Sequence, residues 1–273
     1  MKKKIALLLA LALVFGLAGC GAKEEAKEAA AEGEAKTFTV GFDAEFPPYG
    51  YMDDNGEYVG FDLELAQEVC NRRGWTLVKQ PIDWDAKDME LSSGAIDCIW
   101  NGFTINGRED DYTWSYPYVD NSQVFVVAAD SGIATKADLA GKTVGVQKDS
   151  SALAALEDEE NQENLDLAAS FAELIQYADY NTGFMDLEAG AIDALAIDIG
   201  VANYQLSARG DAYVVLDETL SSEQYAIGFL KGNEELKNQV EETLNEMVED
   251  GTFMKIAENY SDFGLVDSVC LGK

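Results

Sequence analysis

The 273-residue sequence predicts an α/β protein of two similar lobes. Three observations carry that prediction. Two landmarks recur in the same order: KTFTVGFD (36–43) is echoed by KTVGVQKD (142–149), and GAIDCIWNG (94–102) by GAIDALAID (190–198). They lie 53 residues apart in the first half (41 to 94) and 45 in the second (145 to 190), so one strand–helix–strand plan used twice explains them better than chance. Helix-periodic segments alternate with strand-like runs, as parallel βαβ units require. Finally, two β-rich runs, SQVFVVAAD (122–130) and EQYAIGFLK (223–231), bracket the second half and suit a chain that crosses between lobes twice.

In chain order, Lys2, Lys3 and Lys4 precede an apolar run (5–17) too short to span a bilayer comfortably, followed by Leu17-Ala18-Gly19-Cys20. The run is similar to the lipobox of bacterial lipoproteins, whose cysteine takes the lipid; the plainer alternative is a secretory signal that happens to contain a cysteine. Residues 1–19 are read as a signal peptide and 20–36 as a tether anchored through Cys20. Its stretch GAKEEAKEAAAEGEAK (21–36) has no aromatic or β-branched residue and can bury almost nothing. Further on, FDLELAQEVCNRRG (61–74) places Leu65, Ala66, Val69 and Cys70 on one helical face, with Asp62 as the expected N-cap and Gly74 as the stop. NEELKNQVEETLNEMVEDG (233–251) does the same with Leu236, Val240, Leu244, Met247 and Val248. The first lobe is expected to be discontinuous, 37–124 and 227–273, around a second lobe of 125–226.

The net charge is −32, which argues against nucleic acid and against docking on anionic lipid headgroups. There is no histidine, so the commonest general base and the commonest transition-metal ligand are missing. Besides Cys20, Cys70, Cys98 and Cys270 lie far apart without CxxC spacing, so no metal site and no cofactor are expected. In an exported protein that odd number leaves either one thiol or all three free.

Ligands of parallel α/β folds bind past the carboxyl ends of strands. Asp43, Glu45 and Phe46 follow the first strand; Asn101, Gly102, Thr104 and eventually Arg108 follow CIW; Asp149-Ser150-Ser151 and Asp198 occupy the matching places in the second half. Arg108 follows the turn dipeptide Asn106-Gly107, so a solvated hairpin charge competes with an inward-pointing one. If inward, Arg108 could clamp a carboxylate with Thr104 and Ser151 as added donors, Asp198 could take an ammonium, and Phe46 and Trp84 could sandwich a side chain. That inventory suits an α-amino-acid zwitterion. Each residue also has an ordinary role: the aspartates as caps or turn residues, the aromatics as core, and Thr104 as a strand residue.

From about Thr37 to Phe263 the chain resembles the family 3 extracellular solute-binding proteins, receptors of amino-acid ABC importers. VGFDAEFPPYGY, GEYVGFDLELAQEVC, SSGAIDCIWNGFTINGRED, WSYPY, LAGKTVGV, LEAGAIDALAID and EDGTFMKIAENY carry the resemblance in family order. It implies a type II periplasmic-binding-protein fold, two lobes joined by two hinge strands and closing over one amino acid. It further implies no enzymatic activity, and delivery to a membrane permease served by a separate ATPase; a monomer is expected. In that family the arginine after this turn grips the α-carboxylate, which implies that role for Arg108, with Gly102 and Thr104 beside it. One residue fewer than usual separates Ile105 from the arginine. Ser151 aligns with the second-lobe hydroxyl and Asp198 with the aspartate that holds the α-ammonium. Asp43, Phe46 and Trp84 align with positions facing the ligand side chain. Asp43 beside Glu45 favours a side chain with donors, basic before amide. Rival readings are an amino-acid sensor lipoprotein and a cyclohexadienyl dehydratase-like lyase on the same scaffold.

Overall fold

The computed structural model describes residues 35–273, so the readings of the signal peptide, of nearly all the tether and of Cys20 lie outside the described residues. The chain opens with β1 (Thr37–Phe42), whose Phe38, Val40 and Phe42 are fully buried. A small antiparallel meander follows, β2 (Glu45–Phe46), β3 (Gly50–Met52) and β4 (Tyr58–Val59). Then come α1 (Phe61–Arg73), β5 (Thr76–Pro81), α2 (Lys87–Ser93), β6 (Cys98–Ile99) and β7 (Thr113–Trp114). Helix α1 buries Leu65, Ala66, Val69 and Cys70 and ends at Gly74 in the left-handed region, as the periodicity predicts. Its N-cap is Gly60, however, not Asp62. Asp62 lies inside the first turn and its carboxylate is directed into the protein.

The long strand β8 (Val119–Ala128) leads into β9 (Thr143–Gln147), α3 (Ser151–Leu156), α4 (Gln162–Ser170), β10 (Glu173–Tyr177), α5 (Tyr180–Glu188), β11 (Ala194–Asp198), α6 (Ile199–Arg209) and β12 (Tyr213–Val215). Strands β13 (Ser221–Tyr225) and β14 (Gly228–Phe229) return the chain, which ends in α7 (Glu234–Glu249), α8 (Thr252–Glu258) and α9 (Leu265–Ser268). One sheet has the order β5-β1-β6-β14-β7; the other runs β10-β9-β11-β8-β12, with β13 pairing against β8. Strands β8 and β13 are antiparallel, Val119–Gln123 opposite Ser221–Tyr225, and form a two-strand connection between the sheets.

The sequence repeat has a physical cause. In each sheet the repeated strand lies parallel between two others, β1 between β5 and β6, and β9 between β10 and β11. The aspartate of each Gly-Ala-Ile-Asp makes the same pair of bonds to the threonine of a Thr-Val-Gly run. The Asp97 N–H donates to the Thr39 carbonyl (2.8 Å) while the Asp97 carboxylate accepts from the Thr39 N–H (2.7 Å). Asp193 and Thr143 repeat this at 2.8 and 2.9 Å. The isoleucine before each aspartate packs where a glycine Cβ would stand, Ile96 at 2.4 Å from that point on Gly41 and Ile192 at 2.7 Å on Gly145. Val-Gly and Ala-Ile-Asp recur together because each half of the pair needs the other.

All three cysteines among the described residues are free thiols, Cys70 and Cys98 buried and Cys270 partly so. No helix among them is long and apolar enough to cross a membrane.

Candidate functional site

Past the ends of β1, β6, β9 and β11 a small, tightly closed space is lined by Phe46, Trp84, Asn101, Gly102, Thr104, Arg108, Gln147, Ser150, Ser151 and Asp198. Eight of the nine residues singled out in the sequence therefore share one cavity. The ninth, Asp43, lies beside it in a wider, open cleft together with Glu45, Trp84, Asp85, Lys148 and Asp179. The smaller cavity is the better ligand site because it alone combines a guanidinium, a buried carboxylate and hydroxyls. Trp84 borders both spaces.

Arg108 and its neighbours hang from the end of β6. Gly102 has φ of +56°, and a Cβ there would stand 2.9 Å from both the Phe46 and Tyr225 rings, so the close approach needs glycine. Its N–H donates to Asp62 Oδ2 (2.6 Å), which also accepts from the Tyr118 hydroxyl (2.8 Å). Burial pushes the Asp62 carboxyl up to about 7, against the pull of those two donors. Asn106 and Gly107 form a tight turn closed by the Arg108 N–H on the Ile105 carbonyl (2.9 Å), but it joins no pair of adjacent strands. Instead Asn106 Oδ1 accepts from the Gln224 N–H at 2.8 Å. The turn leaves the Arg108 guanidinium on the cavity even with the shortened spacing. Its two hydrogen bonds, to the carbonyls of Thr104 and Asp149, are both 3.3 Å long. Contacts that long leave it free to make charge-assisted bonds to a carboxylate.

On the opposite side, Ser150 caps α3 by accepting the Leu153 N–H (3.1 Å), and Ser151 opens that helix. Asp149 before them has φ of +57°, a region aspartate tolerates better than most side chains. Its carbonyl accepts from Trp84 Nε1 (3.2 Å) as well as from Arg108, and its carboxylate pairs with the buried Lys87 ammonium. Lys148 pairs with Asp85, and Glu45 accepts from Asn181. Asp43 is 6% exposed and accepts from Gln147 Nε2 (2.7 Å); burial lifts its carboxyl to about 6. These bonds close the mouth from both sides.

Asp198 precedes α6 in the N-cap position but makes no side-chain cap bond. Its carboxylate instead accepts from Tyr225 (2.5 Å), Gln123 (2.6 Å), Asn121 (2.9 Å) and Tyr180 (3.2 Å). Burial first, and then the charge of Glu223, raise it to about 7 against the pull of the Tyr225, Gln123 and Tyr180 donors. Glu223 itself lies opposite Asn121 on the paired strands β13 and β8. Gln147, Asn121, Gln123, Glu223 and Tyr225 were missed in the sequence, and Ser150 was placed past a strand end without a role of its own. For 121, 123, 223 and 225 the available signal was alternate positions at the polar starts of two strand-like runs, which a strand turns to the same face.

Residues 38–263 match the bacterial extracellular solute-binding proteins, family 3. The L-cystine-binding protein TcyJ of Escherichia coli (strain K12) is 31% identical over 93% of this chain and 92% of its own. The arginine-binding extracellular protein ArtP of Bacillus subtilis (strain 168) is 27% identical over 95% and 98%. A crystal structure of an ABC uptake transporter substrate binding protein from Streptococcus pneumoniae with bound histidine superposes with a TM-score of 0.78 at 38% identity, covering 82% of this chain and 92% of that one. Each of these relatives is a binding protein.

Proposed function

The chain belongs to the bacterial extracellular solute-binding proteins of family 3, and on that premise we propose that its cavity captures a polar, basic L-amino acid for an ABC importer. One observation carries the choice of ligand. A guanidinium (Arg108) and a buried carboxylate (Asp198) line the same small cavity, as a zwitterion needs, while Asp43 and Glu223 add carboxylates beside it. A net-positive ligand offsets that excess; an acidic one adds to it. The histidine and arginine bound by relatives fit this balance, and the cystine of another is a neutral zwitterion. In this reading Arg108 takes the α-carboxylate, Asp198 the α-ammonium, and Asp43, Phe46 and Trp84 meet the side chain. The portions 37–124 with 227–273 and 125–226 act as lobes that hinge on β8 and β13, and the ligand favours the shut form by adding contacts to both. The receptor works outside the cytoplasm as a monomer, held at the membrane by a lipid on Cys20 after removal of 1–19. It hands its cargo to a permease served by a separate ATPase.

A thermal-shift screen of the free L-amino acids tests the ligand class. At about 100 times its Kd a ligand adds about 2.7 kcal/mol, which for a domain of this size is a rise of roughly 5–10 °C. Arginine, lysine, ornithine or histidine should produce it, glutamate should not, and Arg108→Ala should abolish it while keeping its own melt cooperative. A shift that survives in Arg108→Ala refutes the clamp, and a shift with glutamate alone refutes the basic ligand.

A further inference from the structure

Among the described residues, Asp149 is the only one other than glycine with a positive φ, +57°. Glycine adopts that region freely, whereas an aspartate is strained there and stays only where its surroundings hold it. What holds Asp149 is Lys87, the first residue of α2, which is 2% exposed. Asp149 is the only ion-pair partner of that ammonium among the described residues. A buried ammonium without a partner is costly, so the pair anchors the Asp149 backbone. The Asp149 carbonyl in turn accepts from Arg108 Nη2 (3.3 Å) and from Trp84 Nε1 (3.2 Å). Three side chains of the portion 37–124 therefore converge on one residue of the portion 125–226, and that residue is not in the cavity wall.

We propose that Asp149 is a positioning residue for the carboxylate clamp: anchored by Lys87, it presents its carbonyl to Arg108 from across the mouth and fixes the direction in which the guanidinium meets the ligand. That role rests on the reading of Arg108 as the group that takes an α-carboxylate. Two carbonyls orient the guanidinium, Thr104 from its own segment on Nη1 and Asp149 from the other side on Nη2. Without the second, the long side chain is tied at one nitrogen only and can swing. Lys87 also keeps the Asp149 carboxylate occupied. Arg108 is left with a neutral acceptor, which steers it, and not with an anion, which would take the ligand's place.

Displacement calorimetry tests this with L-arginine and agmatine, which is arginine without its α-carboxylate, on wild type, Asp149→Gly, Lys87→Met and the double variant. In wild type, loss of the carboxylate should weaken binding about 10- to 100-fold or more, the worth of charge-assisted hydrogen bonds. In Asp149→Gly that factor should shrink at least about fivefold, because arginine binds more weakly while agmatine binds nearly as before. Adding Lys87→Met to Asp149→Gly should weaken arginine by less than about twofold more, since the two residues act as one pair. A merely structural Asp149, or one that only favours closure, would weaken both ligands equally. That result overturns the inference and leaves the amino-acid reading intact, as does an unchanged arginine affinity in Asp149→Gly. Should Lys87→Met fail to fold, Asp149→Gly decides alone, because glycine takes φ of +57° freely. Should agmatine not bind wild type, the arginine affinities of the four proteins decide: a loss in Asp149→Gly that Lys87→Met does not deepen upholds the pair, and an additive loss overturns it. If the screen selects another amino acid, that acid and its decarboxylated amine take the same places. If it selects none, the amino-acid reading fails first and this inference falls with it.

Discussion

The Asp62 carboxylate is wholly buried with two donors on one oxygen and none on the other. A carboxyl raised from 3.8 to about 7 holds its proton more tightly in the folded chain than in the unfolded one. Its stabilising contribution is therefore full below about pH 4, declines as pH rises, and is gone once pH passes the folded value near 7. Asp62→Asn keeps the acceptor for the Gly102 N–H and removes the charge. The variant should be more stable than wild type at pH 8 by on the order of 2 kcal/mol and nearly equal to it at pH 4; urea titrations at both values would show it, and an unchanged difference between them would refute it. At this scale Arg108 and Asp198 were legible because residues past strand ends in parallel sheets converge on one place. Glu223 was not: it reaches Thr104 and Ser151 only because β13 sets it opposite Asn121, and no local pattern records that register.

Among the elements, the segment from β6 to the Asn106-Gly107 turn depends most on backbone conformation. Replacing Gly102 by Ala puts an L side chain at φ +56° and a methyl against the Phe46 and Tyr225 rings. The expected cost is roughly 1–3 kcal/mol, together with weaker ligand binding, since Thr104 and Arg108 follow on the same segment. A melting temperature and a Kd both equal to wild type would show the segment to be pliant. The turn itself was legible from Asn-Gly, but the hairpin was not realised, because the partner that ties the turn down is the Gln224 N–H, more than a hundred residues away. Helix α1 shows the same division. Its apolar face and glycine stop follow from local periodicity, whereas Asp62 left the cap position for a bond to Gly102 that only the packed fold supplies.

For the whole molecule, the contacts around the mouth act together. Asp85 with Lys148 and Lys87 with Asp149 place opposite charges on both banks in swapped order, and Gln147 reaches across to Asp43. Lys148→Glu sets two carboxylates face to face and should shift the population towards an open form. Exposed pairs contribute up to about 1 kcal/mol each, so the Kd should rise about 3- to 10-fold and the unliganded radius of gyration should grow in X-ray scattering. Asp85→Lys in the same chain should restore both. Failure of that rescue would mean that Lys148 acts through something other than the pair. With a net charge of −32 the protein carries much self-repulsion, so cross-cleft attraction is a sensitive lever on closure.

The sequence by itself determined the two-lobe α/β plan, the repeated strand–helix–strand units, the helix faces and the principal cavity-lining positions. All of these rest on local periodicity, turn chemistry or a motif spaced along the chain. Tertiary structure alone decided which polar side chains stand behind the cavity wall, which of them reach Thr104 and Ser151, and how the two banks pair their charges. Those depend on strand register and on residues distant in the chain, since a hydrogen bond is set by distances of a few tenths of an ångström that no sequence interval encodes.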